Sequence, residues 1–132
     1  MKFFFDNNIS PRIARPLHIL NEPDGHQVVA LRDMFPQNAT DIEWIEGLAK
    51  EGGWVVLTAD YDIARHGAIK VAWKKAGLAV GFVLRSAWAD FPPIIQASKL
   101  LARWPQIIDQ AELAAPGSTY ELGIKAGKIH TL

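Results

Sequence analysis

The feature that most constrains this chain is a series of short, almost wholly apolar runs, each followed by polar or turn-forming residues. Phe3 to Phe5, Val28 to Leu31, Trp54 to Leu57 and Leu78 to Leu84 are too short for buried helices. They lack the alternation of a strand with one wet face, so they read as strands covered on both sides. The segments between them carry helix signals. Ser10-Pro11 supplies an N-cap and a first-turn proline, and Ile13, Ala14, Leu17 and Leu20 make one apolar face, which predicts a helix over roughly 11–20 with Pro16 as a kink point. Thr40 caps a second helix, in which Ile42, Ile45, Leu48 and Ala49 recur at helical spacing until Gly52-Gly53 stops it. A third runs from Ala64 to Ala76 and ends at Gly77. Pro92-Pro93 open a long apolar-periodic segment to Ile108, with Pro105 either kinking it or starting another helix. Tyr120, Leu122 and Ile124 then alternate before a turn-like Ala126-Gly127, the pattern of a C-terminal hairpin. Strand and helix in alternation predict an α/β fold: a central, mostly parallel sheet of about four strands between helical layers.

Composition narrows the function. A chain of 132 residues with 49% hydrophobic content suits one domain over 1–132 with a core of its own. Lys+Arg and Asp+Glu balance at 14 each, so no general positive field draws the protein onto nucleic acid and any such grip must be local. With 0 cysteines, disulfides and thiolate metal sites are excluded, which is compatible with a reducing cytoplasm. His18, His26, His66 and His130 show no ligand spacing. Asp6-Asn7-Asn8 cut the N-terminal apolar run far short of a signal peptide, and nothing approaches a membrane span.

The acids stand where parallel sheets bind ligands, outside the carboxyl ends of the strands. Asp6 directly follows the first strand, and Asp60 and Asp62 lie in the loop Thr58-Ala59-Asp60-Tyr61-Asp62 after the third. Asp41 and Glu43, in the first turn of the second helix, reach the same edge if that helix starts beside the strands. Gathered in one pocket, such carboxylates repel one another unless a divalent cation offsets them. Oxygen ligands without His or Cys suit Mg²⁺ or Mn²⁺, and the implied chemistry is phosphodiester hydrolysis by activated water. Structural readings compete residue by residue. Asp41 and Glu43 are favourable at a helix N-terminus with no further role, Asp62 can be a cap, Asp33 a turn residue, and Asn7 and Asn8 turn formers. Thr58 and Ser10 offer supporting hydroxyls, Ser10 also being a plain N-cap. Arg12, Arg65 and Lys70 are candidates to track phosphates, against the ordinary solvated helix face. The tryptophans read as core.

Asp60-Tyr61-Asp62 is a poor match to the D-x-D of haloacid-dehalogenase phosphatases, which want Thr where Ala64 stands. Leu84-Arg85-Ser86 likewise lacks the Lys of a response-regulator receiver. Phe-Phe-Phe-Asp-Asn-Asn-Ile-Ser-Pro-Arg (3–12), Pro-Asp-Gly-His-Gln-Val-Val (23–29), Asp-Ile-Glu-Trp-Ile (41–45) and Trp-Val-Val-Leu-Thr-Ala-Asp-Tyr-Asp (54–62) together resemble the PIN-like family close to VapC-type toxins. The resemblance extends into 76–80, 103–105 and the Pro-Gly-containing tail. It implies a PIN fold, a divalent-metal-dependent endoribonuclease, an antitoxin partner and a homodimer. By that resemblance Asp6 is the strand-one metal ligand, Asp41 the acid opening the central helix and Asp60 the acid of Thr-x-Asp, with Asp62 and Glu43 completing the set. The chain departs from the family's pattern in lacking an obvious Glu on a helix between the first strand and Asp41, so the fourth acid and the number of metals stay open. A rival reading keeps the fold but loses catalysis, leaving a module that binds an antitoxin-like partner.

Overall fold

The computed structural model describes residues 1–77, 79–125 and 127–132. The four apolar runs form β1 (Lys2–Phe5), β2 (Gln27–Ala30), β3 (Trp54–Thr58) and β4 (Ala79–Leu84), all parallel; Leu78, expected to start the fourth strand, lies outside the described residues. The sheet is larger than the four strands expected. β5 (Thr119–Leu122) pairs parallel to β4, and β6 (His130–Thr131) returns antiparallel to β5, giving the order β2-β1-β3-β4-β5-β6. The C-terminal hairpin is therefore part of the sheet. It covers the edge β4 would otherwise expose, with Leu122 buried and Tyr120 stacked on Phe82 at 5.6 Å between ring centroids.

Strand pleating sorts the core into two layers. Phe3 and Phe5 point with Leu57 and Phe82 to the face covered by α1 (Pro11–Asn21) and α5 (Pro93–Leu113), where Trp104 packs. Phe4 points the other way with Val56 and Val83, under α2 (Asp41–Glu51), α3 (Asp62–Arg65) and α4 (Gly67–Ala76), where Trp44 and Trp73 pack. All five tryptophans are buried. Three expectations change in detail. Leu20 is exposed, and the inner face of α1 closes instead on Asn21, whose buried amide donates to the Leu17 carbonyl at 2.7 Å. On α2, Trp44 occupies the core while Ile42 faces outward. The helix expected over 64–76 is two helices, because His66 is extended at φ −81°, ψ 128° and Gly67 after it is a poor helix former. Pro105 starts no new helix; α5 runs through it to Leu113, with Pro105 on the exposed side, where water can reach the carbonyl its missing N–H leaves free.

Chain order makes the crevice. From β1 the chain builds β2 on one side and then β3 on the other, so the connections diverge and leave a gap outside the carboxyl ends of β1 and β3. Gly81 of β4 seats α3 beside that gap. A Cβ there would lie 2.7 Å from Ile63 Cδ1 and 3.0 Å from Trp73 Cζ2, both side chains being buried. Gly81→Val is therefore expected to destabilise the protein by about 1–3 kcal/mol through overpacking, read as a lower urea midpoint; an unchanged midpoint would show that α3 and α4 are not seated this closely.

Candidate functional site

β1 ends in a carboxylate because Asp6 continues the ladder, its N–H donating to the Leu57 carbonyl at 2.9 Å. The side chain is 7% exposed and its oxygens are occupied. Oδ1 accepts from the Asn7 N–H at 2.6 Å, and Oδ2 accepts from the Thr58 hydroxyl at 2.9 Å. That hydroxyl in turn accepts from the Asp60 N–H at 3.0 Å and from Asn8 Nδ2 at 3.2 Å, which uses its full donor and acceptor capacity. Asn8 completes the tie: its Oδ1 accepts from the Ala59 N–H at 2.9 Å. The loops after β1 and β3 are thus held to each other by side chains.

Asp41, Asp60 and Asp62 each present a carboxylate oxygen, and these oxygens all lie within 4.8 Å of one another. Asp41 and Asp60 are each hydrogen-bonded through a carboxylate oxygen. Thr40 caps α2 through the Glu43 N–H at 3.2 Å, and the buried indole of Trp44 donates to Asp41 Oδ1 at 3.0 Å. Asp60 Oδ1 accepts the Asp62 N–H at 3.0 Å, so Asp60 and not Asp62 ties down the start of α3. Burial pushes the Asp6 carboxyl above its ordinary value; Thr58 and Asn7 pull it back, while the charges of Asp41 and Asp60 push it further up. Asp62 is also raised, by desolvation and then by Asp60, against a lowering pull from His66. Asp6 therefore stands behind the triad, within its field.

The remaining expected residues fall at varied distances from this centre. Glu43 is exposed and outside the triad, and the Ser10 hydroxyl caps α1 by accepting from the Arg12 N–H at 3.2 Å. Asn7 contributes its backbone, its side chain being exposed. Arg65 lies over the Tyr61 ring at 4.2 Å. Arg12 and Lys70 are exposed, Arg12 beside a groove between α1 and α5 and Lys70 on α4. Two participants went unread as site residues in the sequence. Asn8 looked like a turn former and Trp44 like plain core; the available signal was Trp44's i,i+3 spacing from Asp41, which puts an indole donor beside a first-turn acid.

The donor set fits a hard divalent cation: three convergent carboxylates, no histidine or thiolate among them, and mutual repulsion a cation would offset. An α/β sheet with an acidic cluster outside its strand ends is an architecture that can hold a divalent cation. The chain belongs to the PIN-like domain family, whose model, described as a PIN like domain, matches residues 1–86, and PIN-like domains are generally nucleases. Searches of curated proteins and of solved structures gave no significant match.

The raised carboxyls set a pH dependence. With folded pKa values above the unfolded ones, the native state holds more protons in the window between them. Stability is then lost as pH rises from about 4 through the folded values. In chelator, wild type is expected to lose melting temperature across this window more steeply than Asp6→Asn, which removes one of the two groups. Parallel curves for the two proteins would contradict the burial assigned to Asp6.

Proposed function

We propose that this protein is a divalent-metal-dependent endoribonuclease, the toxin of a type II toxin-antitoxin pair. The observation that carries the reading is the convergence of Asp41, Asp60 and Asp62 within 4.8 Å at the switch-point crevice. Asp41, Asp60 and Asp62 would hold Mg²⁺ or Mn²⁺, with Asp6 backing them. Such an ion neutralises phosphate oxygens and activates water. The protein's own groups do the positioning. Thr58 and Asn8 keep Asp6 and the Asp60 loop at a fixed separation, and Trp44 keeps the Asp41 carboxylate turned inward. Asp62, at the edge of the cluster where α3 begins, also stands where it can assist the attacking water. Direct attack of that water on phosphorus would form one P–O bond as the bond to the leaving sugar oxygen breaks, that oxygen leaving as an alcohol, with no covalent enzyme intermediate. In this reading the 132 residues act as one cytoplasmic domain, pair with themselves and are silenced by a small antitoxin. No described helix is long and apolar enough to cross a membrane.

Structured RNAs incubated with Mg²⁺ or Mn²⁺ are expected to be cut, and chelator is expected to stop cleavage; chelator-resistant cutting would overturn the metal mechanism. Asp60→Asn should fall to background. Thr58→Val, which removes the hydroxyl behind two of the acids, should lose roughly 10–100-fold, as outer-shell partners of metal ligands do. In cells, wild type should arrest growth and Asp6→Asn should not. Equal growth of the two would favour the silent binding module.

A further inference from the structure

Beyond the acidic centre, the carboxyl edge of the sheet carries a second, oppositely charged constellation. Arg85 follows β4, and the loop joining β5 to β6 brings Lys125 and Lys128 to it. With Ser86, Gly127 and His130 they line a pocket of about 350 Å³. In a chain of net charge +0 this is a local concentration of positive charge. The acid that faces it is Glu121, which pairs with Arg85 at 3.5 Å. Both lysines are exposed.

Gly123 and Gly127 of this loop are tied to α5. Arg103 on α5 is 5% exposed and its guanidinium donates to the carbonyls of Gly123 and Gly127, while Gln106 Nε2 donates to Gly127 at 2.7 Å. Among the described residues no carboxylate pairs with Arg103. A buried guanidinium bonded only to neutral groups places its charge behind the pocket, and such a charge favours an incoming anion. Side-chain contacts link the pocket's rim to the acidic centre through Glu121, the partner of Arg85. Tyr61, between Asp60 and Asp62, donates to Glu121 at 2.8 Å and carries Arg65 on its ring. The ends of β3 and β5 are two strand spacings apart, roughly 10 Å, which a short run of nucleotides spans.

We propose that the pocket of Arg85, Lys125 and Lys128 is a phosphate subsite that holds a non-scissile phosphate of single-stranded RNA, so that the strand runs from the acids across Tyr61 and Arg65 into it. This rests on the nuclease reading of the acidic centre. The loop half of this subsite lies in residues 87–132, beyond the stretch matched by the family model.

Binding, not cleavage, tests it. A labelled single-stranded RNA oligonucleotide is titrated in chelator against wild type, Lys125→Gln/Lys128→Gln and Lys50→Gln, the last at the far end of α2. The double variant is expected to bind roughly tenfold or more weakly, with a salt slope shallower by about 0.7 per lysine removed; Lys50→Gln should match wild type. A loss confined to the double variant upholds the subsite even where no RNA is cut. Equal binding by all three proteins, or no binding by wild type, overturns it even where metal-dependent cleavage is found.

Discussion

The hydroxyl of Thr58 holds together two loops that belong to different strands, donating a hydrogen bond to Asp6 and accepting one from the Asp60 N–H. Both residues hang on adjacent parallel strands, β1 and β3, so the separation of their ends is set by the sheet and the remaining freedom is removed by Thr58 and Asn8. This is preorganisation: carboxylates that would move apart under their own repulsion are held by hydrogen bonds and by buried backbone. The rest of the fold serves that geometry. The Phe3, Phe4 and Phe5 side chains, all at 0% exposure, anchor β1 from both faces, and Gly81 lets α3 approach closely enough to bring Asp62 in.

Much of this was legible in the sequence. Apolar runs without alternation, each ended by polar or turn residues, could only be buried parallel strands, and the acids at strand ends followed from that. Asp6 and Asp60 were readable because a carboxylate directly behind an apolar run has few structural uses. Asp41 was harder, since a first-turn acid is favourable to any helix; its partner Trp44 reveals its orientation only once α2 is laid on the sheet.

What was not legible depends on contacts distant in sequence. Whether the tail formed a separate hairpin or joined the sheet was decided by α5, which carries the chain back so that β5 enters parallel to β4. Asn8 and Ala59 are joined across 51 positions, and Arg103 and Gly127 across 24; no local pattern encodes either. The same holds for phosphate contacts. Arg12, Arg65 and Lys70 stand close in sequence to the acidic loops, whereas Arg85, Lys125 and Lys128 of the proposed subsite meet only through the β4–β5–β6 arrangement.

The central claim is that Asp60 belongs to a metal site and is not merely the tie at the start of α3. Thermal melts of wild type, Asp60→Asn and the control Asp33→Asn, in chelator and in Mn²⁺, test it most directly. Asparagine keeps the Oδ1 acceptor for the Asp62 N–H while removing the charge. In chelator, Asp60→Asn should melt at or above wild type, because repulsion on Asp6 and Asp62 is relieved. In Mn²⁺ wild type and Asp33→Asn should gain alike, by about 2.7 kcal/mol at a hundredfold excess over Kd, and Asp60→Asn should gain less. An Asp60→Asn protein that is clearly less stable in chelator, with a Mn²⁺ shift equal to that of wild type, would make Asp60 a structural cap and contradict the site.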